Sequence, residues 1–202
     1  MEEYNESPQP SPPLLTLTCP HNSLLRLVTV LQSGFLHHCR EGETILSCLL
    51  GLEGFTREYI EKEIQTIFYN GDALDDMEAE LTGYRPTIAL SSAMPGLAGA
   101  ILKKNSPCGI LRKTRSVEYS GTAGRLLDVA IKLFNTVALD RGPALFQQGI
   151  IIKSLDLSSF LALRPGLLDS FSDITLAGRA ISPVDLLGSI SENRLLTIKV
   201  SV

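Results

Sequence analysis

Residues 87–115, TIALSSAMPGLAGAILKKNSPCGILRKTR, decide how this chain is put together. Thr87–Ala93 starts as a strand, with β-branched and apolar residues in alternation. Met94-Pro95-Gly96 reads as a turn, because proline presets φ and glycine accepts the left-handed conformation that a turn needs. Beyond the turn the chain could return as a helix or as a strand. Gly96, Gly99 and the break at Asn105-Ser106-Pro107 leave a helix little room. The favoured reading is therefore a long irregular hairpin, 87–93 against 99–104, with 108–113 as a further strand. The stretch ends in Lys103, Lys104, Arg112, Lys113 and Arg115 without an acid among them.

The two flanks of this stretch resemble one another. At an offset of 107, Ile67 meets Ile174, Gly71 meets Gly178, Ala73 meets Ala180 and Leu74 meets Ile181. After a three-residue insertion, Thr87-Ile88-Ala89-Leu90 meets Thr197-Ile198-Lys199-Val200. Each copy reads as helix, strand, glycine turn, short return and longer strand, which predicts an internal repeat. Asn70-Gly71 is the strongest hairpin signal, since both residues tolerate the positive φ of a type I′ turn. Glu43-Thr44 opens one short helical pattern, Thr56 is placed to cap another, and Ser182-Pro183 opens a third. Thr122-Ala123-Gly124 leads into RLLDVAIKLFNTVALD, where Leu126, Leu127, Ala130, Ile131, Phe134, Val137 and Ala138 share one helical face. That predicts a long amphipathic helix over 123–140.

The expected fold is α+β: two similar small αβ units, a β-rich central connection and that one long helix. The expected domains are 1–13 as a disordered acidic, proline-rich tail, 14–104 as a first unit, 105–149 as the connection with its helix, and 150–202 as a second unit packed with the first.

The element order, with Asn70-Gly71 and Thr87–Leu90, resembles the β-grasp arrangement of ubiquitin-like proteins and small sulfur carriers. The resemblance implies a helix across a mixed sheet with a central final strand. The carriers' free C-terminal Gly-Gly is absent, as the chain ends Lys199-Val200-Ser201-Val202, so carrier activity is not implied. The wording of Ile64–Asp76 and of Ala93-Met94-Pro95-Gly96-Leu97-Ala98-Gly99-Ala100 resembles a family of uncharacterised bacterial proteins, which implies no function.

Composition sets outer limits. The chain has 202 residues, is 44% hydrophobic and 20% charged, and carries a net charge of −4. That suffices for a core and supplies no global field to recruit nucleic acid. The apolar run Ala93–Leu102 is too short to span a bilayer, and the N-terminus lacks a signal-peptide pattern. A cytoplasmic protein is expected, with neither nucleic acid nor membrane as a partner. Charge is segregated: nine acids between Glu53 and Glu80 against Arg57 and Lys62, and five cations over 103–115.

Chemistry is sparse in the sequence. Pro95-Gly96-Leu97-Ala98-Gly99 with Lys103 and Lys104 misses the glycine spacing and trailing Ser or Thr of a phosphate loop. Asp72, Asp75, Asp76, Glu78 and Glu80 miss the calcium-loop pattern. The histidines are His21, His37 and His38, and the cysteines Cys19, Cys39, Cys48 and Cys108. Cys39 beside His37 and His38 is the nearest approach to a metal or nucleophile site, but adjacent residues on one short element are not expected all to face one ion, nor Cys39 to form a dyad with either histidine. Free buried thiols are expected instead, with no catalytic residue, metal or cofactor. The leading expectation is a non-enzymatic binding or assembly module, its surface built from Pro95, Gly96, Gly99, Lys103, Lys104, Arg112, Lys113 and Arg115 and facing a protein partner or a second copy. The rival is a binder of, or enzyme for, an anionic small molecule that uses the Pro95–Gly99 turn with Lys103 and Lys104.

Overall fold

A computed structural model describes residues 11–93, 96–104 and 124–202. The fold is α+β, built on one ten-stranded mixed sheet. In chain order the strands are β1 (Leu14–Thr18), β2 (Phe35–Arg40), β3 (Thr66–Tyr69), β4 (Asp72–Ala73), β5 (Thr87–Ser91), β6 (Leu126–Phe134), β7 (Ile150–Lys153), β8 (Ser172–Leu176), β9 (Arg179–Ala180) and β10 (Leu195–Ser201). The helices are α1 (His21–Leu27), continued by a 3-10 turn at Val28–Gln32, then α2 (Ile45–Leu50), α3 (Arg57–Lys62), α4 (Gly96–Leu102), α5 (Asn135–Gln148), α6 (Ser154–Ala162), α7 (Pro165–Leu168) and α8 (Pro183–Ser191).

Across the sheet the order is β4-β3-β5-β6-β2-β7-β10-β1-β8-β9. From the central antiparallel pair β2–β7, both directions repeat one pattern: antiparallel, parallel, antiparallel, antiparallel. The hairpins β3–β4 and β8–β9 stand at opposite ends of the sheet, with Ile67 in β3 and Ile174 in β8. The last matched pair of strands behaves differently. β5 lies beside β3, whereas β1, not β10, lies beside β8, and β10 stands one strand further in. Strand β1 therefore joins residues 150–202, and β6 joins β5 and β2.

One face of the sheet is dry. Leu127, Val129, Ile131 and Leu133 of β6 are buried, and so are Leu196, Ile198 and Val200 of β10, while their alternates are partly or fully exposed. A strand buried on one side shows this period of two. The core on that side includes Phe35, Leu27, Leu31, Phe146 and Leu186, with α1, α5, α6 and α8 supplying its helical half.

Local chemistry accounts for the element ends. Thr44, Thr56 and Ser182 each accept a hydrogen bond from the backbone N–H three residues on. This satisfies one otherwise unpaired helical N–H in each case. Asn70 and Gly71 have φ of 52° and 91°, the positive values that reverse β3 into β4.

Two expectations are corrected. Residues 126–134 are a strand, not the first half of an amphipathic helix; the helix begins only at Asn135 and runs to Gln148. Asn135 takes φ 54° and turns strand into helix without a loop, with Nδ2 donating to Ser91 Oγ at 2.9 Å and to the Ala93 carbonyl at 2.5 Å. Gly96–Leu102 is a helix, so 99–104 is not a strand paired with 87–93; β5 pairs instead with β3 and with β6. The expected strand at 108–113 lies outside the described residues.

Candidate functional site

The chemistry gathers at β2 and α2. In a strand, residues two apart share a face. Phe35, His37 and Cys39 accordingly point with Ile131, Val129 and Leu127 of the neighbouring strand into the dry side, while Leu36, His38 and Arg40 point the other way. On that opposite face His38 Nδ1 lies 3.0 Å from Asp128 Oδ1. Helix α2 brings Cys48 against Cys39 of this strand. The Sγ atoms of Cys39 and Cys48 are 2.7 Å apart, and with a ring nitrogen of His37 all three atoms lie within 4.8 Å of one another. Cys39 is 3% exposed and Cys48 1%, while His37 is partly exposed.

His37, His38 and Cys39 do not all face one point, since His38 turns to the opposite face, but the expectation that Cys39 and His37 are too local to pair is corrected. His37 and Cys39 are alternate residues of a strand, and the third group comes from a different element. The sequence signal was the spacing H-x-C inside an alternating segment, and reading 35–40 as a strand would have exposed it.

Surrounding structure fixes the cluster. The segment 77–81 crosses the start of α2, where the Ile45 and Leu46 N–H groups donate to the carbonyls of Ala79 and Met77 at 3.0 Å each. Tyr69 locks that segment's far end, its hydroxyl both accepting from Thr82 N–H and donating to the Thr82 carbonyl at 2.9 Å. Glu43 is committed as well: one carboxylate oxygen accepts from Arg40 N–H at 2.8 Å and the other from Ser47 Oγ at 3.1 Å. At the end of α2, a Cβ on Gly51 would sit 3.1 Å from His37 Nε2, so glycine leaves the imidazole its space.

The two thiols are electrostatically unequal. A short hydrogen bond joins the two sulfurs. That hydrogen bond is the main reason the Cys39 thiol ionises at about 6, with His37 adding to the effect and burial opposing it. Cys48 is pushed far up by the same bond and by its deeper burial. A thiolate next to a thiol and an imidazole is a nucleophile and a soft-metal ligand at neutral pH. Cys19, by contrast, is raised by burial alone and is an ordinary core thiol.

The described part of the basic segment, Lys103 and Lys104, follows α4. Gly96, exposed and with φ +70°, opens α4, and Gly99 is buried within it. Lys103 is exposed at the end of the helix. Lys104 turns inward: its backbone N–H donates to the Gln65 carbonyl at 2.6 Å and its Nζ to the Ile60 carbonyl at 3.1 Å, at the C-terminus of α3. Burial pulls its ammonium below the usual lysine range, against Glu61 and Asp75. Pro95, Arg112, Lys113 and Arg115 lie outside the described residues.

Comparison with protein-family models, curated proteins and solved structures finds no match to this chain. Among the described residues, no helix is long and apolar enough to cross a membrane.

Proposed function

We propose that the protein works through a redox-responsive dithiol, Cys39 and Cys48, with His37 as its activating neighbour. The observation that carries this reading is the 2.7 Å separation of the two sulfurs, which need close by well under an ångström to reach the disulfide length of about 2.05 Å. The chemistry is a two-step oxidation by a hydroperoxide. The Cys39 thiolate attacks the terminal oxygen, the O–O bond breaks, and the leaving alkoxide or hydroxide takes a proton, leaving Cys39 as a sulfenic acid. Cys48, after giving up its proton, then attacks that sulfur and expels water. Two thiols and one hydroperoxide thus give one disulfide, one water and one alcohol, or a second water when the oxidant is hydrogen peroxide. With both sulfurs almost fully buried, a bulky disulfide substrate is kept from them, which favours a sensor over a disulfide-exchange enzyme.

The test is intact-mass analysis of the reduced, metal-free chain after mild peroxide. The expected product is two hydrogens lighter, with peptide mapping that links residue 39 to residue 48. Two independent sulfenic or sulfinic acids, or no reaction at Cys39, would overturn the reading.

This is a binding and signalling role in a reducing, cytoplasmic compartment, where a reversible disulfide carries information. The mirrored strand pattern supports the further reading that the chain arose from two related αβ units. A second reading keeps 94–115 as the surface for a protein partner or a second copy. It is supported by five cations without an acid over 103–115 and by the exposure of Lys103. Sedimentation of the chain with and without Lys103→Glu and Arg112→Glu decides it: an unchanged monomer that captures no partner removes it.

A further inference from the structure

We propose that, in the reduced protein, His37, Cys39 and Cys48 form a zinc site with three protein ligands and one open coordination position. The site rests, with the dithiol reading, on this cluster being the functional centre, but it needs no disulfide.

The donor set selects the metal class. Two thiolates and one imidazole suit a borderline-soft ion, not calcium or magnesium, which take oxygen ligands. The Glu43 carboxylate has both oxygens occupied, by Arg40 N–H and Ser47 Oγ. Charge then separates zinc from copper. Two thiolates balance Zn²⁺, whereas they leave a net negative charge on Cu⁺ in a site whose sulfurs are almost fully buried. Binding the metal displaces the thiol protons of Cys39 and Cys48, whose sulfurs already face one another at 2.7 Å.

The geometry is within reach. A tetrahedral ion with Zn–S near 2.3 Å and Zn–N near 2.0 Å holds its ligand atoms about 3.5–3.8 Å apart. The sulfurs at 2.7 Å must part by roughly an ångström, and no pair of ligand atoms exceeds 4.8 Å. The ligands sit on a central strand and on a helix tied down by the 77–81 segment, which gives the site a rigid frame. Among the described residues no fourth Cys, His, Asp or Glu joins the group. The partly exposed His37 therefore marks the side from which water or an external ligand fills the last position.

Cobalt(II) is the probe, added to the reduced, metal-free full chain under anaerobic conditions. The expected result is a thiolate-to-cobalt charge-transfer band with the intense visible bands of a tetrahedral ion, at one equivalent, displaced by zinc. Cys39→Ala and Cys48→Ala each remove the charge-transfer signal or halve it, and His37→Ala weakens zinc binding by about tenfold or more, the lower end of what even outer-shell partners contribute. Cys19→Ala, away from the cluster, leaves every readout unchanged. Should a cysteine variant fail to fold, wild-type protein still decides: zinc must protect Cys39 and Cys48 from alkylation and leave Cys19 as it was. Octahedral cobalt spectra, or alkylation indifferent to zinc, would overturn the site. Because the disulfide test uses metal-free protein, peroxide closure without cobalt bands removes the zinc site alone, and cobalt bands without peroxide closure remove the dithiol sensor alone.

Discussion

At the residue scale, the consequence of the Cys39–Cys48 contact is a pH dependence. A free thiol ionises near 8.5 and reacts ever faster as pH climbs through 7 and 8. Cys39 ionises at about 6, so its thiolate population is nearly complete at neutral pH and falls about tenfold per unit only below that point. The rate of peroxide oxidation in the metal-free protein is therefore expected to be flat between pH 7 and 8 and to drop steeply below pH 6. Stopped-flow or quenched mass analysis over pH 5–8 measures it, and a rate still climbing tenfold per unit above pH 7 would contradict the assignment. Stability changes with the matching sign. A depressed thiol adds stability above its unfolded pKa and loses it as pH falls through about 6, while the raised Cys48 thiol works in the opposite direction above neutrality. The sequence held every residue of this cluster within twelve positions. It did not reveal it because the meeting depends on two facts that composition does not encode: that 35–40 is a strand, and which helix lies over it. The basic residues stood out more and yielded less, since Lys104 spends its ammonium on carbonyls of α3.

At the element scale, the instructive stretch is 126–148. Its apolar residues fit a helical face and also alternate, LLDVAIKLF placing Asp128 and Lys132 opposite Val129, Ile131 and Leu133. Periodicity alone could not choose, because Leu, Val and Ile fill both patterns, and the switch at Asn135 has no loop to announce it. What the β-branched Val129 and Ile131 favoured, the neighbouring strands enforced. Capped elements were far more legible: Asn70-Gly71, Thr44, Thr56 and Ser182-Pro183 act through local hydrogen bonds and φ, so the sequence carried them without tertiary help. Within α5, Gly142 faces the 3-10 turn so closely that an added Cβ would lie 2.6 Å from Val28 Cγ1 and 2.8 Å from Val28 Cβ. Alanine there gains about 1 kcal/mol of helix propensity. The overpacking it causes costs about 1–3 kcal/mol. Gly142→Ala is expected to lower the urea midpoint at unchanged slope, and adding Val28→Ala should recover part of the loss. A stabilised Gly142→Ala variant would show that the two elements are not in contact.

At the scale of the whole molecule, sheet order joins distant parts of the chain in one sheet. Residues 150–202 supply β7, β10, β8 and β9, but β1 lies between β10 and β8, parallel to one and antiparallel to the other. Without it, two strand edges open together, and Leu196, Ile198, Val200 and Ile174 lose Leu15 and Leu17 as neighbours on the buried face. Unpaired edges beside exposed aliphatic side chains drive association, not folding. The sequence suggested a unit at 150–202 because its helix and hairpin signals are locally complete; the missing strand is invisible there, being more than 130 residues away. Expressed alone, 150–202 is expected to be unfolded or aggregated, and the intact chain to unfold in one transition seen alike by circular dichroism and by tyrosine fluorescence. Because an added strand supplies main-chain hydrogen bonds and alternate side chains at once, a peptide of residues 11–20 should solubilise the fragment and raise its β content. A Leu15→Asp, Leu17→Asp peptide keeps the backbone donors but cannot fill the dry face, and should fail. A fragment 150–202 that unfolds cooperatively without the peptide would show that the second half closes its own sheet, and that β1 is an accessory strand.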